Sequence, residues 1–297
     1  MFKGVLAAAV LTMALAAGGA SNAAGPHDPL VSTDWLAQHL NDRDLVLLHV
    51  GDRGAFGNGH IPGAHFIELD DISTPHQPGA LMLQVPSAEV LKQRLQALGI
   101  SDASHVVVYF ADDWVSPATR VMFTLDAAGL GDHVELLDGG MNKWRREGHA
   151  LTKDAVPAAR GTLSNIALRP STVDAEFVRS HVGQPHYVLI DARAPVFYDG
   201  LRHSGAMGHE RNGHIPGAHN LPFDSVTNDD LTFKSPAQLT ALFRQAGVAP
   251  GDHVIAYCHI GQQATAVLFA ARLAGVDAVL YDGSFEDWTM RNYPVER

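Results

Sequence analysis

Two kinds of hydrophobic pattern alternate along this chain. Residues 45–50 and 187–190 are short, continuous apolar runs, and each follows a stretch, 31–40 and 173–182, in which apolar residues recur every three or four positions. Short apolar runs predict buried strands, and the longer spacing predicts amphipathic helices. Strands that alternate with helices are typical of a parallel sheet flanked by helices, so we predict an α/β fold.

The second half of the chain repeats the plan of the first. The motif Gly-His-Ile-Pro-Gly-Ala-His occurs at 59–65 and again, unchanged, at 213–219. The apolar runs at 105–110 and 253–258 also match, and each half carries an Asp-Gly pair near its end. Such identity is hard to obtain by chance, so we infer two similar domains that arose by duplication. We predict domains at residues 29–150 and 172–297, joined by a linker at 151–171 that contains Pro and Gly.

The first 24 residues have the features of an export signal. Lys3 supplies a positive charge, residues 5–17 form an apolar run, and small residues at 21–24 suit cleavage. The run is shorter than the roughly 20 residues that a membrane-spanning helix needs. We therefore predict a cleaved Sec-type signal peptide at residues 1–24 and a periplasmic or secreted mature protein without a membrane anchor.

Composition narrows the classes of partner. The chain has 21 basic and 32 acidic residues and a formal net charge of −11, which argues against nucleic acid and anionic membranes. Its 17 histidines are scattered, without the spacing of a zinc site, so we predict no metal. The hydrophobic content of 46% is that of a globular protein. A single cysteine excludes an internal disulfide.

That cysteine, Cys258, lies where a reactive group is expected in this fold. It ends the apolar run 254–257, and residues 264–273 have the pattern of a buried helix. In a strand, turn and helix of this kind, main-chain N–H groups and the positive end of the helix dipole converge beside the thiol and stabilise a thiolate. A buried structural cysteine is the commoner case. However, a structural cysteine needs neither Gly261 nor the Gln pair that follows it, so we favour a nucleophile.

The two halves differ where this chemistry is expected. Phe110 occupies the position of Cys258, and a phenyl ring cannot act as a nucleophile. The first half also lacks an acid at the position of Asp191. We therefore predict that the first domain is inactive and that the second is catalytic.

Together these features resemble the rhodanese family, specifically the tandem-domain sulfurtransferases of the thiosulfate and 3-mercaptopyruvate type. The resemblance extends from about residue 29 to residue 295. It rests on the Gly-His-Ile-Pro-Gly-Ala motif in both halves, on Asp191 and Arg193 as an Asp-x-Arg element, and on Cys258 opening a six-residue loop that ends at Gln263. It implies a twisted five-stranded parallel sheet in each domain and an active site near the domain interface.

The resemblance also implies a mechanism. Cys258 attacks the outer sulfur of a donor such as thiosulfate, and the resulting persulfide passes its sulfur to a thiophilic acceptor such as cyanide. Main-chain N–H groups of the loop would hold the negative charge, with no metal or organic cofactor. The alternative role for Asp191 and Arg193 is a structural ion pair, which we favour for Arg193. The substrate-binding candidates are His259, Ile260, Gly261, Gln262, Gln263, Ala264, Asp191 and Arg193.

Two departures from the family pattern leave the donor open. The residues after the cysteine, 259–261, fit neither the thiosulfate nor the mercaptopyruvate type, and Phe197 stands where the family usually has an arginine. Without that guanidinium, a small dianion or a carboxylate is less well supported as the sulfur donor. Replacement cations could come from the insert at 198–212, whose alternative role is a solvated loop. They are Arg202, His203, His209 and Arg211.

Three other functions fit parts of the pattern. The protein could be a 3-mercaptopyruvate sulfurtransferase, or a persulfide carrier that serves a protein acceptor. A phosphatase of the Cys-x5-Arg type is disfavoured, because the sixth residue after Cys258 is Ala264 rather than arginine. The sequence leaves the physiological donor, the acceptor and the oligomeric state undetermined.

Overall fold

A computed structural model of the chain describes residues 28–111, 114–157, 159–202 and 211–297. The predicted signal peptide at 1–24 lies outside the described residues, so the periplasmic or secreted location stays a prediction. In the described ranges, no helix combines the length and the apolar character needed to cross a bilayer.

The first domain is a five-stranded sheet in which every neighbouring pair of strands is parallel, in the order β1-β5-β4-β2-β3. Its strands are β1 (Leu30–Val31), β2 (Leu45–Val50), β3 (Ala64–Ile67), β4 (His105–Phe110) and β5 (Val134–Leu137). Its helices are α1 (Thr33–His39), α2 (Arg53–Asn58), α3 (Ala88–Ala97), α4 (Ser116–Ala127) and α5 (Gly140–Arg146).

The second domain repeats this arrangement, in the order β6-β10-β9-β7-β8. Its strands are β6 (Thr172–Val173), β7 (Tyr187–Asp191), β8 (His219–Asn220), β9 (His253–Tyr257) and β10 (Asp277–Tyr281). Its helices are α6 (Ala175–His181), α7 (Pro195–Tyr198), α8 (Pro236–Gln245), α9 (Ala264–Ala274) and α10 (Ser284–Met290). The predicted fold class, two duplicated parallel-sheet domains flanked by helices, is confirmed.

Polar caps begin equivalent helices in the two domains. Ser32 accepts the N–H of Trp35 at 3.0 Å at the start of α1, and Asp174 accepts the N–H of Phe177 at 2.8 Å at the start of α6. Each cap satisfies one of the N–H groups that a helix leaves unpaired at its first turn. The caps explain why the helices predicted within 31–40 and 173–182 begin at Thr33 and Ala175.

The repeated histidine fixes a turn in each domain. His60 donates from Nδ1 to the carbonyl of Phe56 at 2.9 Å and stacks on its ring. His214 donates in the same way to Tyr198, at 2.9 Å, and stacks on that ring. Because the same contacts occur in both domains, these histidines belong to the fold.

The segment predicted as the linker, residues 151–171, runs along the first domain. Thr152 pairs with His60, and the N–H of Gly161 donates to the carbonyl of Gln96 at 2.8 Å. Arg169 donates its N–H to the carbonyl of Ala127, also at 2.8 Å. The exact boundaries of the linker and of the two domains stay predictions.

One apolar cluster extends across the interface between the two domains. Phe110, at the end of the central strand β4, and Cys258, directly after the central strand β9, both belong to it. Helices α4 and α9 pack against each other at the same interface. The carboxyl end of β9, where ligands bind in sheets of this kind, therefore faces the other domain.

Candidate active site

The loop after β9, residues 258–263, begins at Cys258 and ends where α9 starts; we call it the Cys258 loop. Gly261 has φ = +81°, a conformation that L-residues with a side chain rarely adopt. A Cβ at this position would lie 2.6 Å from the carbonyl oxygen of Asp282. The loop therefore requires glycine here for both its backbone conformation and its close packing.

The first turn of α10 holds two carbonyl groups of the loop. The N–H of Phe285 donates to the carbonyl oxygen of Cys258 at 3.0 Å, and the N–H of Glu286 donates to that of His259 at 3.0 Å. These donors are among the N–H groups that a helix leaves unpaired at its start. The N-terminus of α10 thus fixes the first two peptide groups of the loop.

Two further carbonyl groups of the loop, those of Gly261 and Gln262, are also held by hydrogen bonds. Nη1 of Arg120 donates to the carbonyl oxygen of Gly261 at 3.0 Å. The carbonyl oxygen of Gln262 accepts from Oγ1 of Thr265 at 2.6 Å and from its N–H at 3.1 Å. Four of the loop's carbonyl groups are thereby directed at surrounding elements.

Held carbonyl groups fix the direction of the N–H groups that follow them. In a trans peptide the C=O and the next N–H point in opposite directions. The N–H groups of residues 259, 260, 262 and 263 are therefore directed away from the elements that bind the carbonyls. Among the described residues, no protein acceptor takes the N–H groups of residues 260–263. Such a row of unpaired amides forms an anion-binding concavity.

Cys258 itself is anchored and buried. Its N–H donates to Oγ of Ser284 at 3.1 Å, and that hydroxyl donates to the carbonyl of Tyr281 at 2.9 Å. Its side chain has no exposed surface and packs in the apolar cluster. Burial is expected for a structural cysteine, whereas a row of unpaired N–H groups is expected beside a nucleophile.

Asp191 and Arg193 form a buried ion pair. Nε and Nη2 of Arg193 donate to the two carboxylate oxygens, with distances of 3.0 Å to Oδ1 and 2.6 Å to Oδ2. Nη2 also donates to the carbonyl of Gly213 at 2.8 Å, and the guanidinium carbon lies 4.0 Å from the centre of the Phe285 ring. These contacts tie β7 to the repeated motif and to α10. They match the structural role that the sequence left open beside substrate binding.

Aromatic and cationic side chains lie beside the first residue after Cys258. The rings of Phe197 and His259 meet edge to face, with centroids 4.7 Å apart. The guanidinium of Arg202 lies 5.9 Å from the centre of the Phe197 ring. Arg211 instead donates to the carbonyl of Tyr293. The other two candidate cations of the insert, His203 and His209, lie outside the described residues.

Arg120, which lies in α4 of the first domain, also contacts the loop, although no sequence motif indicated a role for it. Its side chain is fully buried, and besides Gly261 it donates to Oδ1 of Asp282 at 2.6 Å and to the carbonyl of Leu83. The pKa of the Asp282 carboxyl is raised, because the effect of burial exceeds the lowering by Arg120 and by the N–H of Val85. The available signal was a single arginine within an apolar helical stretch.

Two hydroxyl groups of α4 also contact the second domain. Nε2 of Gln262 donates to Oγ of Ser116 at 3.2 Å. Oγ1 of Thr119 lies 2.9 Å from Oγ1 of Thr265, which in turn holds the carbonyl of Gln262. The Cys258 loop is therefore built by both domains. Within the described ranges, acidic, histidine and cysteine side chains form no cluster that could hold a metal ion.

A family model described as the rhodanese-like domain matches residues 32–147 and 174–291, one match in each domain. The chain therefore belongs to the rhodanese family. Its curated relatives narrow the class, since it is 33% identical to the thiosulfate sulfurtransferase of Mus musculus over 285 residues, which are 90% of this chain and 94% of the relative. This protein is a sulfurtransferase.

Two other relatives carry different functions in their names. A probable 3-mercaptopyruvate sulfurtransferase of Pseudomonas aeruginosa is 34% identical over 87% of this chain and 94% of its own length. The sulfur carrier protein TtuD of Thermus thermophilus is 33% identical over 87% of this chain and 93% of its own length. The relatives therefore support sulfur transfer without selecting one donor.

Several solved structures have a similar fold. One, an anaerobic ergothioneine biosynthesis enzyme from Chlorobium limicola, is 26% identical, with a TM-score of 0.78 over 90% of this chain and 70% of that one. A structure of EanB, 25% identical with the same TM-score and coverage, holds a cysteine persulfide in a tetrahedral intermediate state with ergothioneine.

Proposed function

We propose that this sulfurtransferase moves a sulfane sulfur from a donor such as thiosulfate to a thiophilic acceptor such as cyanide, through a persulfide on Cys258. The Cys258 thiolate attacks the outer sulfur of thiosulfate, and sulfite leaves with the electron pair of the broken S–S bond. Cyanide then attacks the terminal sulfur, which gives thiocyanate and restores the thiolate.

The Cys258 loop supports this proposal. Its carbonyl groups are held by α10, by Arg120 and by Thr265, so that unpaired N–H groups remain for the charge on the terminal sulfur. Hydrogen-bond donors that are fixed in advance need no reorganisation when the charge develops, and they act more strongly where water is excluded. We assign the anion-binding role to main-chain groups of residues 259–264 and a positioning role to Asp191 and Arg193.

Intact mass measurement tests the persulfide directly. Purified protein is incubated with thiosulfate or with 3-mercaptopyruvate, and its mass is taken before and after cyanide is added. We expect one added sulfur atom, its loss with cyanide, and no addition in Cys258→Ser. If the thiol is free and neither donor adds sulfur, the proposal is wrong.

The same experiment separates the alternatives. Loading by 3-mercaptopyruvate alone would assign that donor, which is named for the Pseudomonas aeruginosa relative. Loading with negligible transfer to cyanide would favour a carrier that serves a protein acceptor, as the name of the Thermus thermophilus relative suggests. A phosphatase stays disfavoured, because residues 259–264 include no arginine or lysine to clamp phosphate.

We also propose that the mature protein works outside the cytoplasm, on small-molecule donors and acceptors, without nucleic acid or membrane as a partner. The proposal rests on the charge pattern, the apolar run and the small residues of the first 24 positions. Mass analysis of the protein from an extracellular or periplasmic fraction should show a chain that begins after Ala23 or Ala24. An intact N-terminus in the cytoplasm would contradict it.

A further inference from the structure

Helix α4 belongs to the domain that lacks a nucleophile, yet it contacts the Cys258 loop and the start of α9 at three points. Ser116 binds the side chain of Gln262, Thr119 binds Thr265, and Arg120 binds the carbonyl of Gly261. All three contacts join residues more than a hundred positions apart in the chain. The conformation of the loop therefore depends on contacts with the other domain.

Arg120 is held rigidly in this interface. It has no exposed surface, and two of its three acceptors, Gly261 and Asp282, belong to the second domain. The third, the carbonyl of Leu83, belongs to the first domain. A buried charge is tolerated only when it is paired and hydrogen-bonded, so a partner lost on either side is costly. The guanidinium therefore holds the carbonyl of Gly261 and the carboxylate of Asp282 in place.

The bond from Arg120 determines the orientation of one peptide group. Since the carbonyl of Gly261 points to Nη1 of Arg120, the N–H of Gln262 points the opposite way. Glycine permits many backbone conformations, so Gly261 does not by itself hold this orientation. A charged donor also polarises the peptide group and strengthens its N–H as a donor.

We infer that α4 of the first domain completes the anion-binding loop of the second, with Arg120 as its main positioning residue and Thr119 as a weaker one through Thr265. This inference rests on the proposed function of the loop. In this arrangement the domain without a nucleophile is part of the catalytic apparatus, and sulfur transfer requires both domains to be docked.

Arg120→Met tests the inference, because methionine keeps an unbranched apolar stem and removes the donors and the charge. The rate constant for sulfur loading from thiosulfate is measured in single turnovers at saturating donor, together with kcat and KM. We expect a loss of ~10²-fold in the loading rate constant, similar to the effect of removing a preorganised donor. KM should change much less. Arg120→Lys, which keeps the charge and an N–H donor group but loses the planar guanidinium, should recover part of the rate.

Arg146→Met is the matched control. Arg146 also bridges the domains, pairing with Asp230 at 3.4 Å, but both side chains are largely exposed and neither contacts the Cys258 loop in the structure. The variant should load sulfur at the wild-type rate. Equal loading rates in Arg120→Met and wild type would overturn the inference. Failure of the wild type to load at all would instead overturn the proposed function.

Thr119→Val keeps the inference testable if Arg120→Met does not fold. Valine has nearly the same shape and puts a methyl group in place of the hydroxyl that bonds to Thr265 and, within α4, to the carbonyl of Ser116. We expect a several-fold loss in the loading rate constant, with the unfolding midpoint compared with that of the wild type to exclude global destabilisation. An unchanged rate in this folded variant would contradict the role assigned to α4.

Discussion

Cys258 combines a buried thiol with a row of main-chain donors. The thiol has no exposed surface, while the N–H groups of residues 260–263 have no protein acceptor among the described residues. Amides left unpaired near a buried site cost free energy unless something else binds them. The negatively charged terminal sulfur of a Cys258 persulfide is a ligand of the right charge. Its S–S bond of about 2 Å would place that sulfur beyond Sγ. The loop is therefore suited to the persulfide more than to the free thiol.

Gly261 allows a prediction with a close internal control. Gly261→Ala would place a Cβ 2.6 Å from the Asp282 carbonyl, whereas Gly275→Ala, at φ = +68°, would meet nothing within 4 Å. The positive φ alone costs roughly 1–2 kcal/mol for an L-residue. We expect Gly275→Ala to lose about that much stability and to keep its activity.

Gly261→Ala should lose more stability than Gly275→Ala and should load sulfur far more slowly, because Asp282 and Arg120 must move with the loop. Urea unfolding and single-turnover loading of both variants check this. If both lose stability equally and both stay active, the close packing around Gly261 has no functional role.

Helix α10 contributes through its first turn. Ser284, at φ = +52°, accepts the N–H of Cys258, while the next two N–H groups bind loop carbonyls. A short helix therefore fixes the backbone on both sides of the thiol. The equivalent position in the first domain is Gly140, at φ = +53°, which offers no side chain to the chain opposite.

Ser284 predicts an unusual order of stabilities. Ser284→Ala should cost about 1–3 kcal/mol, because it leaves the buried N–H of Cys258 unpaired and keeps the positive φ. Ser284→Gly loses the same bond but relieves the backbone, so it should be more stable than Ser284→Ala by about 1 kcal/mol. Urea unfolding of the three proteins measures the order. An alanine variant at least as stable as the glycine variant would contradict it.

Under the proposed function, the second of the duplicated domains is the catalytic one and the first supports it. In the first domain the ring of Phe110 occupies the space above Gly140, where an added Cβ would lie 2.7 Å from the ring. Polar contacts also link the domains around the apolar cluster, such as the N–H of Phe233 to Asp138 at 2.9 Å and that of Met82 to Glu286 at 3.1 Å. Where the second domain has the thiol, the first domain thus has packing and docking contacts.

A thiol placed at the end of β4 should not create a second active site. We expect the double variant Phe110→Cys, Cys258→Ser to show no sulfur loading, because the segment after Phe110 lacks the Gly-containing loop. Removing the buried ring should also destabilise the protein by about 2–4 kcal/mol. Intact mass after thiosulfate treatment and thermal unfolding check both effects. Sulfur bound at position 110 would show that a thiol at the end of a central strand is sufficient.

The features that depend on local patterns could be predicted from the amino-acid sequence. Apolar runs and helical spacing located β4, β7 and α9 to within a residue or two, and the repeat revealed two equivalent domains. The strand, glycine and helix around Cys258 located the candidate site, because periodicity, glycine requirements and helix caps act over a few residues.

The contacts between groups that are distant in the chain became apparent from the three-dimensional packing. Arg120 is 141 positions from Gly261, and nothing in the local pattern of α4 indicates that its guanidinium reaches a carbonyl of the other domain. The burial of Cys258 and the closed ion pair of Asp191 and Arg193 likewise depend on how the domains and loops pack. Such contacts depend on the spatial arrangement of whole elements, which local sequence preferences do not encode.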